Sequence, residues 1–115
     1  MTWRQRIIAA HVAVTTAVSH FARMKSDRYF VWQEEGARDL IADGRHTERA
    51  MRGTTDLFTK LDGDPWAEKL EAAFDADDGI AWRRNGTWYE PDTGFIHIEW
   101  VWSALDGEPE AEEAG

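Results

Sequence analysis

Few residues in this chain have a type and spacing suited to chemistry. His97 and Glu99 lie two apart in a run of alternating polar and apolar character. On a strand both side chains leave the same face and could meet one ion. A metal site needs at least one more ligand, and the neighbouring sequence marks none. An exposed polar pair is the plainer reading. Asp75, Asp77, Asp78 and Gly79 loosely evoke a calcium loop. They lack its alternating ligands and its closing glutamate. Asp62-Gly63-Asp64 is better explained as a turn followed by a helix cap.

Covalent chemistry has less support. The chain contains no cysteine, so it has neither disulfides nor thiolate ligands. Ser19, Ser26 and Ser103 lie outside any strained nucleophile turn. Gly36 and Gly44 lack the strand–glycines–helix frame and the lysine of a phosphate loop. We therefore expect no enzyme, no cofactor and no metal. Arg83 and Arg84 stand between Trp82 and Trp88, and aromatic residues with arginine can stack on RNA bases. Tryptophan and arginine are also enriched at the centres of protein interfaces. The acidic balance of the chain favours the second use. The candidate subunit or partner interface is Trp82, Arg83, Arg84 and Trp88, with Trp32 from a strand apolar on both faces and the isolated pair Leu40 and Ile41.

The formal net charge is −9, from 13 basic and 22 acidic residues. Tight nucleic-acid binding draws on phosphate neutralisation, which such a chain is poorly placed to supply. Repulsion would instead suit a passage through which DNA slides without sticking. No apolar run approaches the roughly 20 residues of a membrane span, so no membrane partner is expected. Arg4 and Arg6 precede Ile7–Ala10, but His11, Thr15, Thr16 and Ser19 dilute the run and deny it a signal-peptide shape. The chain is expected to stay in the compartment where it is made.

The elements that position these residues follow from periodicity. Thr2–Ala22 reads as a helix capped by Thr2 and Gln5, with Trp3, Ile7, Ala10, Val14, Ala17 or Val18, and Phe21 as its apolar stripe. Ile8 and Val12 widen the stripe, and His11 and His20 are expected at the surface or half-buried. Tyr29–Glu34 is a strand, and Glu35–Thr47 a mobile loop or flap. Glu48–Lys60 is read as a strand, although local propensity at Glu48–Arg52 would also allow a helix, and Gly53 marks a bulge or a close backbone approach. Asp64 caps a second helix with Pro65 at its first position, and Trp66, Ala67, Leu70, Ala73 and Phe74 form its buried stripe. Asp77 and Asp78 at its C-terminal end oppose the helix dipole, with no evident stabilising role. Ile80–Trp102 is a hairpin around Glu90-Pro91-Asp92-Thr93-Gly94. In its second run Ile96, Ile98, Trp100 and Trp102 share one face, the expected floor for the helices. The order α-β-β-α-β-β predicts an α+β fold, a four-stranded, mainly antiparallel sheet with two helices on one face. Residues 1–105 form a single domain, and 106–115 an acidic, disordered tail.

A resemblance rests on the wording of these strands. The order Tyr29-Phe30-Val31-Trp32-Gln33-Glu34-Glu35-Gly36, then Ala42-Asp43-Gly44, then Arg52–Lys60, then Trp82-Arg83 and Tyr89-Glu90, then Thr93–Val101 resembles a family of small phage and prophage proteins, the tail terminator (tail completion, minor tail) proteins of long-tailed phages. The resemblance implies a structural role without catalytic residues. Copies would form a ring, typically a hexamer, on the end of the tail tube and join it to the head–tail connector protein. The implied partners are the chain itself, the tail tube protein and the connector, with DNA only in passage. The implied location is the virion tail, after synthesis in a bacterial host cytoplasm. Two further readings fit the same residues: a head-closure or neck component, and a small acidic binding module that sequesters a protein partner.

Overall fold

A computed structural model describes residues 1–42 and 45–107, with the side chains of all of these except 37–42 and 45–48. The first helix, α1, spans Trp3–Val12, and the expected capping box is present: Gln5 N–H donates to Thr2 Oγ1 at 3.1 Å and Thr2 N–H to Gln5 Oε1 at 2.8 Å. It ends ten residues earlier than the periodicity predicts. Val14, Thr15 and Thr16 have branched side chains that lose rotamer freedom in a helix. Thr15 Oγ1 instead accepts Ala17 N–H at 3.0 Å and turns the chain. Ile8 and Val12 face solvent and do not widen the buried stripe.

After this turn Val18–His20 forms a short strand, β1, which pairs parallel with Phe30–Trp32 of β2, Arg28–Ala42. Phe21, at φ 70°, breaks the strand and sends the chain away from it. β2 pairs antiparallel with β3, Arg45–Thr59; the second helix, α2, is Trp66–Asp75; β4, Ile80–Glu90, and β5, Phe95–Leu105, form the final hairpin. The sheet is therefore five-stranded and mixed, in the order β1-β2-β3-β5-β4, where the sequence predicts four strands. The extra strand is only three residues long, too short to show a period.

The segment expected to be a flap is strand in its described backbone: β2 and β3 continue as a two-stranded ribbon past the last β5 partner, Ala50. Among the described residues no third strand pairs with this ribbon, and a two-stranded ribbon needs no apolar periodicity. Gly53 is a close approach, as expected. A Cβ there would collide with the Gln33 carbonyl oxygen and the Trp102 ring. The register of β2 shifts between Glu34 and Gly36, beside this point. In the final turn Gly94 has φ 76° and donates its N–H to Glu90 O at 2.8 Å.

Both helices pack on one face. Ile7 and Ala10 of α1 and Ala67, Leu70 and Phe74 of α2 meet Phe30, Trp32, Leu57, Ile98, Trp100 and Trp102 in one core. The alternation in β5 thus identifies the floor correctly. The opposite face carries a smaller cluster of Tyr29, Val31 and Phe58, with Phe95 against it.

His11 is fully buried, in contrast to the surface or half-buried position its polarity predicts. It lies one helical turn after Ile7, inside the buried stripe. A single tautomer satisfies the whole network. His11 Nδ1–H donates to Ile7 O at 2.6 Å, the Thr55 hydroxyl donates to Nε2 at 2.9 Å, and Trp102 Nε1–H donates to Thr55 Oγ1 at 2.9 Å. Burial lowers the His11 pKa to about 4, against the opposing pull of the Ile7 carbonyl.

Asp77 also has a structural role that its helix-end position hides. It accepts from Arg6 Nη1 at 2.6 Å, and Arg6 further donates to the carbonyls of Leu105 and Gly107. Asp106 and Gly107, assigned to the tail from composition, are thereby held to the body. Gly107 N–H donates to Met1 O at 2.8 Å and Asp106 N–H to Arg49 O at 2.9 Å. The remainder of the expected tail, 108–115, lies outside the described residues.

Candidate interface surface

β4 is one edge of the sheet, and it carries four of the seven residues expected at an interface. Cross-strand register divides them between faces. Trp82 pairs with Trp102 and Arg84 with Trp100, so both belong to the helix side; Arg83 pairs with Val101 and Trp88 with His97, on the opposite side. Trp82 is half-buried against Phe74, and its Nε1–H donates to Asp75 Oδ1 at 2.7 Å. Arg84 donates to Glu71 Oε2 at 2.8 Å, and the same oxygen accepts Trp100 Nε1–H at 2.9 Å. These two residues therefore hold α2 against the sheet.

Arg83 and Trp88 remain at the surface. Arg83 makes a local bond to Asn85 Oδ1 at 2.9 Å, and Trp88 is 47% exposed beside the His97 ring. Trp32 lies at the other side of the molecule and is buried, with its ring 4.0 Å from His20 and edge-on to Trp3 at 6.3 Å. Its burial comes from α1 and β1 within the same chain. The side chains of Leu40 and Ile41 lie outside the described residues.

The sequence reading overlooks Tyr89, which at 64% is the most exposed large apolar residue among the described residues. With Trp88, Thr87, Ile96 and Asp62 it lines a shallow depression beside the final turn. The available signal was the pair Trp88-Tyr89 itself. Register places them on opposite faces, Tyr89 beside Ile96 and Trp88 beside His97, and both are exposed near the end of this edge strand.

His97 and Glu99 do not converge on a common point. His97 Nε2 is 2.6 Å from Asp56 Oδ1, while Glu99 Oε1 accepts from Asn85 Nδ2 at 2.8 Å. Among the described residues no three histidine or carboxylate groups gather as a metal site would require. Other acids are tied to bases. His20 Nε2 lies 2.6 Å from Glu34, and this bond holds the Glu34 pKa below its ordinary value. Asp64 is fully buried. Burial pushes its pKa up, but bonds from Arg28, from the Trp66 amide and from Thr59 outweigh that and leave it lowered. On the face away from the helices, the Arg23 guanidinium lies 4.0 Å over the Phe58 ring and reaches Glu90.

No family model matches this sequence, and no curated protein matches it. Among solved structures, a chain of a structure described as the virion of a native gene transfer agent (GTA) particle is similar in fold. The two superpose with a TM-score of 0.53, covering 92% of this chain and 92% of that chain, at 18% identity. At that identity the likeness is one of fold.

Proposed function

We propose that this chain is a structural protein of a phage-like particle, a tail terminator whose copies form a ring on the end of the tail tube and meet the head connector. The observation that carries the reading is the fold likeness, over nearly the whole length of both chains, to a component of a gene transfer agent virion. It agrees with the resemblance of the strand sequences to tail terminators. The role is architectural: work is done by fitting surfaces together, and no bond is made or broken. The acidic balance suits this role, because a channel wall of like charge lets DNA pass without holding it. An edge strand with exposed Arg83, Trp88 and Tyr89 supplies surface for contact with other subunits.

Mixing the purified protein with polymerising tail-tube subunits tests the proposal. The expected result, by electron microscopy, is tubes that stop short with a ring at one end. Tubes of equal length with and without the protein would overturn it.

A further inference from the structure

The sheet has two incompletely paired edges among the described residues. β4 is bonded to β5 on one side only along its whole length. β2 is covered on its outer side by β1 only at Phe30–Trp32; from Gln33 onward its partner is β3 alone. Phe30 and Trp32 make the main-chain bonds to the β1 side, through Phe30 N–H to Ala17 O and Phe21 N–H to Trp32 O. The same alternation directs the backbone of Glu34 to that edge, beyond the point where β1 ends. Unpaired edges of this length are templates for another strand.

The two edges have opposite charge. Gln33–Ala42 contains Glu35 and Asp39, with Glu34 already bonded to His20, against one base, Arg38, while β4 carries Arg83, with Arg84 already bonded to Glu71, and Glu90 only at its far end. Arginines on both partners would oppose pairing of β4 with a second β4, whereas they suit an acidic edge. Direction also fits. Three antiparallel steps, β2 to β3, β3 to β5 and β5 to β4, make β2 and β4 antiparallel within one subunit. Copies related by rotation about an axis near the strand direction keep that relation across their contact.

We propose that the outer edge of β4 in one copy pairs antiparallel with the open edge of β2 in the next, so that copies join head to tail as one continuous sheet. Such a contact is heterologous, and heterologous contacts close into rings when the rotation permits. The proposal rests on the ring reading above and names the surfaces that build it.

Charge exchange between two exposed positions tests it in the tube-capping mixture. The variants are Arg83→Glu, Glu35→Arg and the double exchange, with far-UV circular dichroism of each to show that the fold is kept. Each single variant is expected to need at least about tenfold more protein than the parent to cap tubes, because it sets like charges across the contact. The double exchange restores capping, because each edge again meets its opposite. If the parent caps tubes and both single variants cap equally well, or the double exchange remains defective, the edge pairing is wrong and the ring reading survives. If the parent itself fails to cap, the ring reading falls and takes this contact with it.

Discussion

On the helix-covered face of the sheet, Trp100 and Trp102 are sealed, and each indole N–H has a designated acceptor, Glu71 for one and Thr55 for the other. On the opposite face, no helix among the described residues lies over the Tyr29–Phe58–Phe95 cluster. Side-chain cations lie there instead, Arg23 over Phe58 and Lys60 with its Nζ 5.1 Å from the Phe95 ring centre. A buried N–H left without a partner costs more than the loss of a cation–ring contact at the surface. The difference therefore separates two tasks. The covered face fixes the fold through directional bonds, and the exposed β4 positions of the opposite face, Arg83 and Trp88, can be altered at small cost to stability.

The largest effect should come from the covered face. Trp102→Ala removes the ring stacked on Trp3 and leaves Thr55 without its donor, and a loss of about 4 kcal/mol is expected in urea unfolding. A loss below about 1 kcal/mol, the range of ordinary surface changes, would abolish the contrast between the faces.

Acid should act next, through His11. Its folded pKa of about 4 lies below its unfolded value, so the unfolded chain binds a proton first as pH falls. The stability held by neutral His11 is complete above about pH 6.5, erodes as pH falls, and is lost once pH passes about 4. The full loss is about 3 kcal/mol, at about 1.4 kcal/mol per pKa unit. Unfolding midpoints measured from pH 7 to 4.5 should show this slope, and His11→Gln should flatten it. An unchanged slope in that variant would assign the acid sensitivity elsewhere.

The smallest effect belongs to the bare face. Trp88→Ala should change stability by no more than about 0.5 kcal/mol, since nearly half of the side chain is already in water. A thermal-melt shift comparable to that of Trp102→Ala would show that both faces carry the fold.

The parts of this structure legible in sequence are those with a sustained period. The alternation of Ile96, Ile98, Trp100 and Trp102 identified the covered face, and Trp66, Leu70 and Phe74 placed α2. β1 was hidden because its three residues continue the helical stripe of α1 in letter pattern, while the branched residues that end the helix act through rotamers rather than spacing. The β2–β3 ribbon was hidden because main-chain pairing by itself imposes no apolar rhythm. The Arg6–Asp77 bond joins residues 71 apart, a distance at which no local rule operates. At the candidate surface, Arg83 and Trp88 were singled out by residue type, and their exposure follows from β4 lying at the sheet edge, which chain order does not reveal because the last strand, β5, is internal. The fixed roles of Trp82 and Arg84 were not, because their acceptors lie on α2.

The bond from Gly107 to Met1 has a practical consequence. The first residue and the last described one leave the body at the same pole, beside the start of α1. Fluorophores or affinity handles attached at either position would view the same end of the molecule. In an assembly of identical copies such labels would mark one rim and leave the final hairpin turn unobstructed.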